Sequence, residues 1–160
     1  CGALVLLVVC FAAAFCLLEG WAPIDSLYFT TTTLATIGFG DFRPTRPMSR
    51  VLASLVGICG VGLLGGLVSA VIGEWFGERR HSSAFPAWLQ VALLLTCGVV
   101  GVKVLECSIP WVDVLYMTMG SMTTAGLGDV VPRTPAAKLF VSLYSPLAVV
   151  TFARVVGSLA

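Results

Sequence analysis

The chain has 160 residues, of which 58% are hydrophobic and only 11% are charged. Because a soluble domain carries about 25% charged residues, this composition excludes an ordinary water-soluble domain and indicates a membrane protein. The formal net charge is +1, which gives no basis for expecting a nucleic-acid partner.

Four apolar stretches approach the roughly 20 helical residues that cross a bilayer core about 30 Å thick. We do not expect the first to be a signal peptide, because it lacks a basic leading region and no polar mature domain follows it. Lys138 and Arg154 border the last stretch, where their long side chains can reach the headgroups. We therefore predict an integral membrane protein with four transmembrane helices, over residues 1–18, 51–73, 88–105 and 138–157.

A sequence repeat with a spacing of 88 residues relates the two halves of the chain. The run that starts at Asp25, Asp-Ser-Leu-Tyr-Phe-Thr, matches the run Asp-Val-Leu-Tyr-Met-Thr that starts at Asp113. Each half contains two spans, which return the chain to its starting side, so the repeats have parallel topology. We predict a first pore repeat over 1–73 with a pore loop at 24–41, a linker over 74–87 that includes Arg79, Arg80 and His81, and a second pore repeat over 88–160 with a pore loop at 112–129.

Between the two spans of each repeat lies a short helical stretch, Ser26 to Ala35 in the first repeat and Val114 to Thr123 in the second. About ten residues are too few to cross a bilayer, so we predict helices that enter the membrane and return. Asp25 or Ser26 is expected to N-cap the first helix, and Asp113 the second. The backbone that follows each helix must be buried by protein or line a watery cavity, since lipid does not tolerate it.

Each short helix is followed by a segment in which glycine alternates with other residues. Glycine reaches backbone angles that are closed to other residues, so successive carbonyl groups can point to one side. A ring of such segments presents stacked oxygen cages that replace the hydration shell of a monovalent cation, with the threonine hydroxyl as the lowest ligand. The segments read Thr36-Ile37-Gly38-Phe39-Gly40-Asp41 and Thr124-Ala125-Gly126-Leu127-Gly128-Asp129.

The first segment closely resembles the filter motif of potassium channels, Thr-Val/Ile-Gly-Tyr/Phe-Gly-Asp, and the second resembles a diverged copy. With two pore loops between four spans, the whole chain resembles the two-pore-domain potassium channels. That resemblance implies an all-α membrane fold of two tandem helix–pore loop–helix repeats. It also implies a homodimer that conducts potassium ions passively and selectively across a lipid bilayer, with no cofactor.

The resemblance also assigns roles to individual residues. Tyr28 and Tyr116, each eight residues before a filter threonine, match aromatic positions that brace Asp41 and Asp129 behind the filter. The residues expected to bind potassium ions are Thr36, Ile37, Gly38, Phe39, Gly40, Thr124, Ala125, Gly126, Leu127 and Gly128.

Three features depart from the commonest pattern of the family. Only Glu19 to Ile24 separate the first span from the first pore helix, so the chain resembles the capless plant and protist members more than the animal members. Ala125 stands where Val or Ile is usual, and Leu127 stands where an aromatic residue is commonest. We expect both substitutions to leave the second segment less tightly packed against its surroundings than the first.

Other functions are weighed against a potassium-selective channel. A non-selective monovalent cation channel is the nearest alternative, because the second segment is irregular, and a non-conducting partner subunit is the next. An enzyme is not expected, since the chain has one histidine and no nucleophile with a plausible base.

Charged residues near the pore loops give two further expectations. The positive-inside rule would place the filters in the cytosol, whereas the family resemblance implies the opposite orientation. Lys103 and Glu106, at the end of the third span, are expected to form a snorkelling pair, with an electrostatic role at the pore mouth as the alternative. The cations on the filter side are Arg43, Arg46, Arg50, Arg133 and Lys138.

Overall fold

The computed structural model describes residues 2–76 and 86–157. Every regular element in these ranges is an α-helix, which confirms the predicted all-α fold. The predicted linker residues Arg79, Arg80 and His81 lie outside the described residues. The helices are α1 (Gly2–Glu19), α2 (Pro23–Leu34), α3 (Pro47–Phe76), α4 (Ala87–Leu105), α5 (Trp111–Met122) and α6 (Pro135–Gly157).

The helices repeat with the same spacing as the sequence. α2 and α5 each have 12 residues, and their first residues lie 88 positions apart. At a rise of about 1.5 Å per residue, each is about 18 Å long, too short to cross a bilayer core of about 30 Å. α3 and α6 also begin at equivalent prolines, Pro47 and Pro135. The fold therefore contains two tandem units, each with a short helix between two longer ones.

Two of the described helices are long and apolar enough to cross a membrane, over Trp88–Leu105 in α4 and Pro135–Val156 in α6. Shorter apolar stretches occupy Leu4–Glu19 in α1 and Pro47–Leu63 in α3. Only 11% of the α4 stretch is buried within the protein, so most of its apolar side chains face outward. An outward apolar surface of this extent suits hydrocarbon rather than water, as expected for an integral membrane protein.

The short helices begin before the aspartates that were predicted to cap them. The capping residues are Ala22 for α2 and Pro110 for α5, and neither cap has a side-chain hydrogen bond. A proline occupies the first helical position of α2, where its fixed φ suits the helix and its missing N–H needs no partner. The prediction that Asp25, Ser26 or Asp113 caps these helices is therefore wrong. Both aspartates lie in the first helical turn instead.

The largest buried cluster lies behind the first glycine-containing segment. α2, from the first repeat, packs most extensively against α6, from the second. The cluster brings together Tyr28 of α2, Val141 and Val149 of α6, and the side chains of Ile37 and Phe39. The first segment is therefore anchored in a core that both repeats build.

α3 passes very close to the end of α2 at Gly60. A Cβ atom added there would lie 2.5 Å from the carbonyl oxygen of Leu34 and 2.9 Å from its Cα atom. An added Cβ atom at Gly62, further along the same helix, would meet no described heavy atom within 4 Å. Small residues commonly allow such close approach between membrane helices. Gly60 therefore fixes the position of the α2 end from which the first segment starts.

We expect Gly60→Ala to destabilise the protein, although alanine favours a helix over glycine by about 1 kcal/mol. The methyl group must displace the Leu34 backbone, and overpacking of this kind costs about 1–3 kcal/mol. Gly62→Ala is the matched control and should be neutral or mildly stabilising. The measurement is the thermal unfolding midpoint of each variant in detergent. An unchanged midpoint for Gly60→Ala would contradict the close contact.

Candidate selectivity filter

The two glycine-containing segments share an alternating backbone. They are named here the first filter segment, residues 36–40, and the second filter segment, residues 124–128. Every second residue has a left-handed backbone, and this alternation turns successive carbonyl groups to one side of the segment. The φ angles are 55° at Thr36, 56° at Gly38 and 76° at Gly40, and 57° at Thr124, 48° at Gly126 and 75° at Gly128.

Thr36 and Thr124 adopt this backbone despite their branched side chains. Among the described residues, only these two have a positive φ without being glycine. A β-branched residue in this region is strained by about 1–3 kcal/mol, and such strain persists only where the surrounding structure enforces it. Both threonines are the first residues of their filter segments, so the strained backbone occurs at the same position in each repeat.

Hydrogen bonds to the ends of the short helices fix the base of each segment. The N–H groups of Ile37 and Gly38 donate to the Thr32 carbonyl at 2.9 and 3.3 Å, and the N–H group of Ala125 donates to the Gly120 carbonyl at 2.8 Å. Since these N–H groups point back to the helices, they leave the carbonyl groups of the segments for other ligands. The negative end of each helix dipole also lies at the base of a segment, where it favours a cation.

The two filter segments lie edge to edge within one chain. A Cβ atom added to Gly126 would lie 1.7 Å from the carbonyl oxygen of Ile37, and one added to Gly128 would lie 2.0 Å from that of Phe39. Contact as well as φ therefore requires glycine at both positions. At Gly38 an added Cβ atom would meet no described heavy atom within 4 Å. The second segment thus covers one edge of the first, and nothing described in the same chain lies against the glycine edge of the first.

The outward side chains of the two segments differ in burial. Ile37 and Phe39 are only 4% and 6% exposed, and the Phe39 ring stacks on Tyr28 with 6.1 Å between the ring centroids. In the second repeat Leu127 is 56% exposed and Tyr116 is 38% exposed. The predicted looser hold on the second segment stays a prediction, but its side chains do have less cover within the chain.

The predicted braces, Tyr28 and Tyr116, lie near Asp41 and Asp129. Tyr28 is fully buried, yet its hydroxyl has no hydrogen-bond partner among the described residues. Burial raises the pKa of Asp41, while nearby backbone N–H groups, the Tyr28 hydroxyl and the Lys138 ammonium oppose that rise in part. The Tyr28 hydroxyl and the Asp41 carboxylate are therefore neighbours, and the brace stays a prediction.

Comparison with known proteins gives the family. A family model described as an ion channel matches residues 3–77 and matches again over 89–160. The chain belongs to this ion channel family. Its two matched regions correspond to the two tandem repeats of the fold, and membership of a channel family agrees with the prediction that the protein is not an enzyme.

Several relatives are named as two-pore or related potassium channels. "Two-pore potassium channel 5" of Arabidopsis thaliana is 25% identical over 86% of this chain, and "Two pore potassium channel c" of Oryza sativa subsp. japonica is 32% identical over 81%. "Potassium channel subfamily K member 16" of Homo sapiens is 27% identical over 82%. These relatives confirm the predicted likeness to two-pore-domain potassium channels. The chain spans 42%, 35% and 48% of their respective lengths.

Lys138 joins the two repeats of this channel protein. Its Nζ atom lies 2.5 Å from Oδ1 of Asp25, and the two side chains are 13% and 25% exposed. The same ammonium group lies 4.5 Å from the centroid of the Phe42 ring. Sequence reasoning missed this pair, because 113 residues separate its members. The ion pair fixes α6 against the start of α2, behind the first filter segment.

A glutamate at the end of α1 and another just after α4 hold the loops that follow the two filter segments. Glu19 accepts hydrogen bonds from the N–H groups of Thr45 and Arg46 at 2.9 and 3.0 Å. Glu106, just after α4, accepts from the N–H group of Arg133 at 2.9 and 3.2 Å. Thr45 and Arg133 are equivalent positions in the repeat. The two glutamates are 87 residues apart rather than 88, so the ungapped repeat does not reveal them.

Lys103 and Glu106 do not pair with each other. The Nζ atom of Lys103 donates to the carbonyl oxygens of Cys107 at 2.7 Å and Ile109 at 2.5 Å. The predicted snorkelling pair is therefore wrong, because each charged group has backbone partners close by.

Arg43 lies at the outer end of the first filter segment. Its Nε atom donates to the Gly40 carbonyl at 2.9 Å, and its side chain is at the surface. The equivalent position in the second repeat is Val131. The outermost carbonyl of the first filter segment is therefore bound by a cationic side chain, whereas the equivalent position of the second repeat carries an apolar one.

We expect Arg43→Gln to raise cation flux, because the arginine repels cations and occupies the outermost carbonyl of the first segment. A unit charge at about 4 Å in water is worth about 1 kcal/mol, or up to about five-fold in flux. The gain should shrink as salt screens the charge. Arg46→Gln is the control, since that exposed arginine shares the loop without contacting Gly40. Equal flux for Arg43→Gln and wild type at low salt would show that the charge does not reach the ion path.

Acidification on the filter side should reduce flux through loss of the Asp41 charge. Partial desolvation raises the pKa of Asp41 above its ordinary 3.8, so its carboxylate takes up a proton at a higher pH than an unperturbed aspartate. The charged form, which attracts cations, is present at neutral pH and is lost as pH falls through the raised pKa. Asp41→Asn should lower flux at neutral pH and flatten the acid limb of the profile. An acid limb that persists unchanged in Asp41→Asn would have another origin.

Proposed function

We propose that two copies of this chain form a potassium-selective channel in which four filter segments surround one axis. The first segment carries the full potassium-filter motif, and several relatives of the chain are named potassium channels. The permeant ligand is a potassium ion bound by backbone carbonyl groups, and the surrounding solvent is the lipid bilayer.

One observation carries the proposal: both segments alternate left-handed residues at equivalent positions. Carbonyl groups turned to one side form a ladder of oxygen ligands, which matches the low charge and regular coordination of a dehydrated potassium ion. No carboxylate belongs to the ladder itself, so the cages are neutral and bound ions can leave again. The helix dipoles aimed at the base of the segments add a favourable field for a cation.

The edges of the segments support the dimer. Within one chain, the glycine edge of the second segment lies against the carbonyl groups of Ile37 and Phe39. In a closed ring of four segments, each glycine edge must meet the carbonyl edge of the segment before it. The glycine edge of the first segment, at Gly38, then meets the second segment of a partner chain. Two chains related by a two-fold axis complete such a ring.

A non-selective cation channel is the second candidate, and the irregular second segment favours it. Leu127 replaces the usual aromatic residue and is 56% exposed within the chain. If the partner chain does not hold this segment, the cages widen and sodium passes with potassium.

The test is ion flux into vesicles that contain the purified protein, with potassium compared against sodium. We expect potassium flux well above sodium flux in wild type. Gly126→Ala should abolish flux, because its methyl group cannot coexist with the Ile37 carbonyl 1.7 Å away. Gly120→Ala is the matched control, since its methyl group would lie 3.9 Å from the nearest atom, in the Leu127 side chain. Equal potassium and sodium flux would favour the non-selective channel, and no flux from folded protein would favour a non-conducting subunit.

A further inference from the structure

The internal repeat places the same packing arrangement once within the chain and once at its edge. Within the chain, the short helix of the first repeat, α2, packs against the second long helix of the other repeat, α6. The equivalent pair for the second repeat is α5 with α3, which do not contact each other among the described residues. If the rotation that relates the first repeat to the second is applied once more, α3 of a partner chain lies against α5.

Side-chain burial shows which faces lack this partner. Tyr28 in α2 is fully buried, whereas its equivalent Tyr116 in α5 is 38% exposed. On the other side of the contact, Val149 in α6 is 6% exposed, whereas its equivalent Val61 in α3 is 64% exposed. Positions that are buried in the contact between α2 and α6 are thus exposed on α5 and α3. Apolar residues that are exposed on these two helices, at positions whose equivalents in α2 and α6 are at least partly covered, are Ile58, Val61, Val112, Leu115 and Met119.

The charges at this contact repeat as well. Asp25 and Lys138 form the ion pair between α2 and α6. The residues at the same positions of the other repeat are Asp113 and Arg50, which keep one acid and one base. Asp113 is half-buried and forms no salt bridge with any described residue. Arg50 is exposed, and its Nε atom donates to the carbonyl of Pro44 at 3.2 Å, which leaves its terminal nitrogen atoms for a further partner.

We propose that Arg50 of each chain pairs with Asp113 of the partner subunit, and that the exposed face of α3 covers α5 of that subunit. The proposal rests on the homodimer of the proposed function and names the contacts that hold it together. The interface then contains two equivalent ion pairs, and a guanidinium group can hold a carboxylate through two parallel hydrogen bonds. The same contact buries the second filter segment from behind, as α6 buries the first.

Charge exchange tests the ion pair. Arg50→Asp and Asp113→Arg should each weaken dimerisation by about ten-fold or more, because two like charges then face each other at each of two sites. The double variant restores opposite charges and should recover most of the affinity. The readout is the dimer fraction by native mass measurement in detergent over a dilution series. The internal control combines Lys138→Asp with Asp25→Lys, which exchanges the charges of the ion pair within the chain. Its dimer affinity should lie closer to that of wild type than the affinities of Arg50→Asp and Asp113→Arg do.

Cross-linking gives a second measurement that does not depend on affinity. In a Cys107→Ser background, chains that carry only Arg50→Cys are mixed with chains that carry only Asp113→Cys and treated with a short, water-soluble reagent that joins two thiols. A covalent dimer is expected from the mixture. A single chain with both Asp25→Cys and Lys138→Cys should instead join within itself and keep the mass of one chain.

The outcomes separate this proposal from the proposed function. A wild-type protein that is dimeric and conducts potassium, but shows neither the covalent dimer nor restored affinity in the double variant, would overturn the Arg50–Asp113 pair and leave the channel intact. A wild-type protein that is monomeric when it conducts would overturn both.

Discussion

The structure depends on one constraint, which is that the carbonyl groups of two short segments must face the same side. A chain of ordinary L-residues does not hold that conformation, because alternate residues need a positive φ. Glycine supplies it at Gly38, Gly40, Gly126 and Gly128, and the surrounding hydrogen bonds impose it on the two threonines. The short helices serve the same constraint. Their last carbonyl groups accept hydrogen bonds from the N–H groups of the filter segments, which have no partner within the segments.

The two repeats share this backbone but differ in what supports it. The first segment has a core behind it, with Phe39 stacked on Tyr28, and an ion pair between Asp25 and Lys138 at its outer end. The second segment shows the same geometry with exposed side chains. The exposure of Leu127 alone therefore does not establish a weak segment, because in the proposed dimer α3 of the partner subunit takes the place of α6, the helix that packs against Phe39. Ala125 and Leu127 still remove side-chain volume, and a looser second segment stays a prediction.

Much of the fold can be predicted from the sequence because each motif occurs twice, once in each of two repeats spaced 88 residues apart. A single Gly-x-Gly-Asp is a common turn, but two copies, each after a short helix and between apolar spans, predict a pore loop. The helix starts were predicted less well, since the prolines at these starts outweigh the capping tendency of Asp25 and Asp113. Contacts between distant residues were not predicted either. The contacts of Lys138 with Asp25 and of Glu19 with Thr45 depend on how the helices pack. The spacing of residues along the sequence does not predict that packing.

The central claim is that each chain supplies half of one ion path, and mixing wild-type chains with inactive chains measures this directly. Wild-type protein and Gly126→Ala protein are combined in equal amounts before assembly, and potassium flux is compared with that of the same total amount of wild-type protein alone. If one inactive chain disables a pore of two chains, about one quarter of the flux should remain, since random pairing makes about one quarter of the dimers fully wild type. Retention of about one half would show that single chains conduct and would contradict the account.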